Sequence, residues 1–135
     1  MSESDARTIH DLAALAYVDR HERARYATVH RMEEVQIGVY VLEPGGQIPP
    51  HRHSISWDIA LVLEGEIEAT IGEAPDQRRE RCGPHCVNLV PPGTLHSIRN
   101  PAADTSARFL LLQSPSRGFD FLRAATAAGA ERGGG

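Results

Sequence analysis

The chain has 135 residues, 41% of them hydrophobic, and a formal net charge of −4. That length fits one domain of roughly 100–150 residues with a single core, and the acidic balance leaves no basic footprint for nucleic acid. All fourteen basic residues are arginine, which excludes Schiff-base catalysis and lysine general bases.

Three parts are expected in chain order: an N-terminal extension over 1–30, a β-barrel over 31–116, and a C-terminal helix with a flexible tail over 117–135. The opening "MSESDARTIHDLAALAYVDRH" starts acidic and has no basic stretch leading into an apolar run. It does not read as a secretory signal. No apolar run approaches the roughly 20 residues that span a bilayer. A cytoplasmic protein is the expectation, with neither nucleic acid nor membrane as partner. Within the extension, "DLAALAYV" (Asp11 to Val18) has near-helical apolar spacing. His10, His21 and His30 read as surface residues.

From residue 35 the pattern becomes strand-like. "VQIGVYVLEPGG" is β-branched and runs into a Pro-Gly-Gly turn. "DIALVLEGEIEATIGE" reads as a hairpin around Gly65. "CVNLVPPG", "HSIRNP" and "ARFLLLQSP" continue the series. Short strands at intervals of roughly 8–12 residues, with no βαβ alternation, predict an all-β sandwich or barrel. "IALVLE" and "RFLLLQ" are apolar on both faces, which predicts a second contact beyond the core and hence a homodimer. Cys82 and Cys86 flank "GPH" and are expected as reduced thiols, with a disulfide or a Cys/His metal clip using His85 as the alternatives; no second cysteine pair is present to complete a structural zinc site. "FDFLRAATAAGA" (Phe119 to Ala130) is Ala-rich and predicts a short helix. The final "ERGGG" predicts disorder.

The chemistry concentrates in "HRHSISWD". On a strand, residues i and i+2 share a face, so His51 and His53 can project together while Arg52 points away. Asp58 opens the next strand and alternates with Ala60 and Val62. His96 follows the turn "PPGTL" into another strand. Three imidazoles and one carboxylate form a set that suits Fe²⁺, Mn²⁺, Ni²⁺, Co²⁺ or Zn²⁺. Tyr40, Trp57 and Gln113 are candidate substrate contacts. Asn100 reads as structural, closing the turn before Pro101.

These stretches resemble the two motifs of the cupin superfamily. In "GGQIPPHRHSISWDIALVLEG", five residues separate Gly45 from His51, four separate His53 from Asp58, and six separate Asp58 from Gly65. In "PPGTLHSIRN", Pro91, Gly93, His96 and Asn100 stand at the spacing of the second motif. Two departures are visible. Asp58 stands where Glu is usual, and seven residues rather than five separate Gly83 from Pro91. The resemblance implies a double-stranded β-helix, or jelly roll, with one divalent metal inside the barrel mouth. It carries over His51, His53, Asp58 and His96 as ligands; Asp58, one methylene short, either ligates or stands behind a ligand as a hydrogen-bond partner.

A metal-dependent enzyme acting on a small oxygen-bearing organic molecule is the functional expectation. The four-residue gap after H-x-H resembles cupin dioxygenases and oxidases, so oxygenase chemistry centred on the metal comes first. Non-redox isomerase, cyclase, decarboxylase or lyase chemistry is the alternative, and a binding module for a metal or small ligand is the third.

Overall fold

The computed structural model describes residues 8–124. Ten strands carry almost all of the regular structure: β1 Val18–Asp19, β2 Glu22–Arg31, β3 Gln36–Arg52, β4 Trp57–Glu64, β5 Ile67–Ile71, β6 Arg78–Cys82, β7 Val87–Val90, β8 His96–Arg99, β9 Ala107–Ser114 and β10 Leu122–Arg123. They form a double-stranded β-helix built on the long, bent strand β3. Its first half pairs with β2 and β9, and its second half with β8 and β10. One sheet therefore continues from β3 through β9 and β4 to β7, and the other through β8 and β5 to β6.

The bend in β3 falls at Pro44-Gly45-Gly46. Gly45 has φ +78°, and a Cβ on Gly46 would sit 2.3 Å from the Arg23 carbonyl oxygen. Only glycine tolerates both conditions. Asn100 closes the same corner. Its buried side-chain amide donates to the carbonyls of Leu42 (3.0 Å) and Thr105 (2.8 Å), and its side-chain oxygen accepts from Ala102 N–H (2.9 Å).

Period-2 alternation sorts the strands into two faces. Leu42, Ala60, Val62, Ile67, Ala107 and Phe109 point inward and pack the closed end of the barrel. Tyr26 faces Tyr40, which faces Phe109, across three adjacent strands. Gly38 makes room for this aromatic row, because a Cβ there would meet the Tyr26 hydroxyl at 2.1 Å. The packed end leaves the opposite mouth for polar residues.

Three local expectations are corrected. "DLAALAYV" forms only a 3₁₀ turn, Leu12–Ala14, capped by the Asp11 side chain, which accepts from Ala13 N–H at 2.9 Å. The chain then runs extended into β1. Tyr17 reaches Arg25 and Arg108 on the outside of the sheet, so tertiary contacts override a weak helical preference. Second, β4 and β5 do not form a hairpin. The turn at Gly65 hands the chain from one sheet to the other, and β4 pairs with β7 and β9 while β5 pairs with β6 and β8. Third, the start of the predicted C-terminal helix is β10, whose Leu122 and Arg123 pair with Arg52 and His51. An open strand edge beside the mouth supplies backbone partners that a helix would forgo. The Ala-rich remainder and "ERGGG" lie outside the described residues.

Candidate metal centre

His51 lies near the end of β3, His53 just beyond it, Asp58 second in β4 and His96 first in β8. Register brings them together: His51 pairs with His96, and Asp58 pairs with Gln113 of β9. All four side chains are buried. Arg52 points away, as alternation requires, and pairs with Glu73 at 3.0 Å. The turn before β8 is tied to the H-x-H stretch, because Gly93 N–H donates to the His53 carbonyl at 2.7 Å.

Each imidazole is held by the same device. Nδ1 of His51 donates to the Pro49 carbonyl (2.7 Å), Nδ1 of His53 to the Asp120 carbonyl (2.6 Å) and Nδ1 of His96 to the Thr94 carbonyl (2.9 Å). A carbonyl only accepts, so the proton sits on Nδ1 and a neutral ring carries its lone pair on Nε2. Backbone contacts of this kind orient metal-binding histidines. The Nε2 atoms of His53 and His96 stand 2.9 and 3.3 Å from the Asp58 Oδ2. Lone pairs facing a buried carboxylate call for positive charge among them, either protons or a cation.

The titration behaviour follows. Burial alone would raise the Asp58 carboxyl, yet hydrogen bonds to His53 and His96 outweigh it and hold the group well below the usual carboxylate range. Burial would likewise lower His53, but its bonds to Asp58 and to the Asp120 carbonyl raise it. His51 lacks that direct bond to Asp58; burial and the charge of His96 push it down to about 3. The candidate ligand atoms of the four residues all lie within 4.8 Å of one another. Three nitrogens and one carboxylate oxygen, buried and preoriented, form a group that can hold a divalent transition metal.

A cavity of about 230 Å³ opens over this group. Tyr40 and Gln113 are on its wall, and Gln113 donates to Asp58 Oδ2 at 3.4 Å while accepting from Gln36. Trp57 is on the opposite side of β4 and 45% exposed. The alternation that turns Asp58 inward turns Trp57 outward, so it does not contact the cavity. Several wall residues carried no sequence signal. Arg20, Tyr26 and Arg31 line it, as does His21, which against the surface expectation is half-buried, stacks on Phe121 at 5.2 Å and is pushed down to about 4 by burial and by Arg20 and Arg123. Phe121 stacks on His51 at 4.1 Å and Phe119 lies 4.8 Å from His53. Asp120 between them binds Ser54 through both of its carboxylate oxygens. The alternation of "FDF" is the one signal that could have shown two rings on one face and the carboxylate on the other.

Residues 38–112 match the Cupin domain family. The chain is a cupin. No curated protein matches its sequence significantly, whereas the fold recurs widely among solved structures. An uncharacterized conserved protein with a double-stranded β-helix domain from Klebsiella pneumoniae subsp. pneumoniae superposes with a TM-score of 0.77 at 20% identity, covering 93% of this chain and 98% of that one. KdgF from Halomonas sp. gives 0.71 at 18% identity, covering 83% and 96%. The polyketide cyclase RemF from Streptomyces resistomycificus gives 0.69 at 19% identity, covering 82% and 80%. At these identities the likeness is one of fold. Within this cupin, the two motifs meet at the mouth of the barrel, where His51 and His96 sit on paired strands. Among the described residues no helix is long and apolar enough to cross a membrane. Cys82 and Cys86 are free, with Cys82 buried and its thiol pushed up by that burial and by Cys86.

Proposed function

We propose that this cupin is a metal-dependent enzyme acting on a small oxygen-bearing organic molecule, with oxygen-dependent chemistry as the first reading. The observation that carries it is the buried His51, His53, Asp58 and His96 group, of which His51, Asp58 and His96 line the cavity. Bound there, a transition metal supplies Lewis acidity, open coordination positions and, for a redox-active ion, reactivity toward dioxygen. The protein's own contribution is confinement and orientation. Phe119 and Phe121 shield the imidazoles from water, Gln113 holds Asp58, and the Tyr40 phenol, raised by burial, stays protonated as a donor. At under 300 Å³ the cavity falls below the usual range for drug-sized ligands, which fits a small substrate.

The wall is poor in proton acceptors, which favours oxygenase chemistry over proton transfer. Asp58 is engaged by two histidines and Gln113. His21 alone is neutral, on the wall and outside the metal group. It favours the second reading, a non-redox isomerase, cyclase, decarboxylase or lyase in which His21 holds the transferred proton. Metal analysis of untagged protein, then oxygen uptake against small phenols, diketones and carboxylic acids, tests the pair. Turnover with oxygen consumption supports the first. Turnover without it, lost in His21→Asn, supports the second. Metal-free protein that gains no activity with any of the five candidate metals would refute both.

We further propose that the chain is a homodimer. Outward-facing Ile59 and Leu61 of β4 lie between Leu112 and Leu110 of β9 and Leu89 and Val87 of β7. Leu89 is 59% and Val87 51% exposed, so this face offers a second copy an apolar surface.

A further inference from the structure

Among the described residues, two arginines on the cavity wall, Arg20 and Arg31, have no counterion. Arg20 lies over the Tyr26 ring at 4.3 Å, and its charge acts on the Tyr40 phenol. Arg31 sits at the end of β2, paired in register with Gln36, whose side chain also lines the cavity. Both arginines line the same cavity as Tyr26, whose phenol feels both guanidinium charges. Among the described residues no carboxylate comes within ion-pair distance of either. Six other arginines, Arg52, Arg78, Arg81, Arg99, Arg108 and Arg117, each have an acidic partner, while Arg23 donates to the Pro44 carbonyl and Arg25 lies over the Tyr17 ring, both away from the cavity. Among the described residues, Asp58 is the one acidic side chain on the cavity wall, and the histidines hold it. With a divalent cation in place, the cavity would carry an excess of positive charge. Ile48, Ile98, Phe109 and Leu111 supply an apolar part of the wall. Both arginines are exposed at the cavity, where water solvates them, and a carboxylate matches their planar, forked donors.

We propose that Arg20 and Arg31 form an anion subsite, and that the substrate is a small organic acid whose carboxylate lies between them while a second oxygen faces the His51, His53, Asp58 and His96 group. The proposal rests on the metal-site reading above for the second oxygen, but the subsite itself is defined by the arginines. Arg20 keeps its stacking on Tyr26 while presenting its edge to the ligand. The apolar wall takes the body of the acid, and the small volume limits its length.

The test uses two probes of one shape, salicylate and its uncharged amide, salicylamide. Calorimetry measures each against the full chain, both metal-free and reconstituted with Zn²⁺, which brings no redox chemistry. Salicylate should bind at least about 10-fold more tightly than salicylamide, as charge-assisted hydrogen bonds imply. R20Q/R31Q should reduce that preference to about 3-fold or less, with salicylamide affinity and Zn²⁺ content unchanged. R20K/R31K should restore part of it. The single variants R20Q and R31Q stand in if the double variant melts early. No preference for salicylate in the parent would overturn the proposal, as would a preference that survives in R20Q/R31Q and so comes from the metal. If the chain binds no Zn²⁺ yet shows the arginine-dependent preference, the metal reading fails and the anion subsite stands.

Discussion

Asp58→Asn separates a metal ligand from a buried carboxylate kept for packing. The substitution preserves shape and volume but removes the charge. In the parent without metal, the Asp58 carboxylate faces the Nε2 atoms of His53 and His96 at 2.9 and 3.3 Å, and His53 answers it by holding a proton more firmly than usual. Asparagine brings its own N–H donors, so it can satisfy those lone pairs with no added charge. The metal-free fold should therefore survive, with a melting temperature close to the parent's. Metal binding should suffer. Two unit charges about 4 Å apart interact by about 1 kcal/mol in water and about 4 kcal/mol at an effective dielectric of 20; a dication doubles both. The amide oxygen keeps some ligating power, and the ion trades hydration for the site, so only part of this is lost. A weakening of about 10–100-fold, or about 1.4–2.8 kcal/mol, matches the loss of a ligand or of its orienting partner. Competition with a fluorescent chelator measures it, and Asp58→Glu should retain metal with altered turnover, because the longer arm displaces the ion. An Asp58→Asn protein that binds Zn²⁺ or Mn²⁺ as tightly as the parent would refute the reasoning and leave a three-histidine site.

Two further outcomes are expected. His21 titrates near 4 when folded and near 6.5 when free, so between those values the unfolded chain takes up a proton that the folded one excludes. Stability is then full above pH 6.5 and declines as pH falls toward 4. Solvent around the half-buried ring reduces the contribution to about 1–2 kcal/mol, and His21→Asn, which suits the residue's φ of +67°, should flatten that part of a urea-denaturation series. A pH slope unchanged in the variant would remove His21 as its source. For the dimer, sedimentation at micromolar concentration should give twice the chain mass, and Leu89→Glu should give monomers with an unaltered melting curve at low concentration. A monomeric parent would refute that interface.

What could be read in the sequence was local, and what could not depended on pairing. The H-x-H stretch is legible because strand period alone puts His51 and His53 on one side, and the P-x-G turn before His96 is legible from turn chemistry. The Asp58, Ala60, Val62 alternation reads the same way, and applied one residue earlier it also puts Trp57 outside. The same local logic fails at Gly65. Alternation on β4 and β5 says which side chains are buried but not which strand lies alongside, and a short turn between two strands fits a hairpin as well as a change of sheet. It fails again at the two chain ends. Arg20 and His21 reach the cavity only because β2 folds back on β3, and Phe119 and Phe121 only because β10 takes up the strand edge at His51. The motifs supply the metal-binding group, while segments outside them bring the ring pair, the arginines and the neutral imidazole that surround it. A family signature therefore reports the part of the site that the barrel must hold in place. The part that selects a substrate is written in the extensions, where pattern is weakest and contact is set by tertiary pairing.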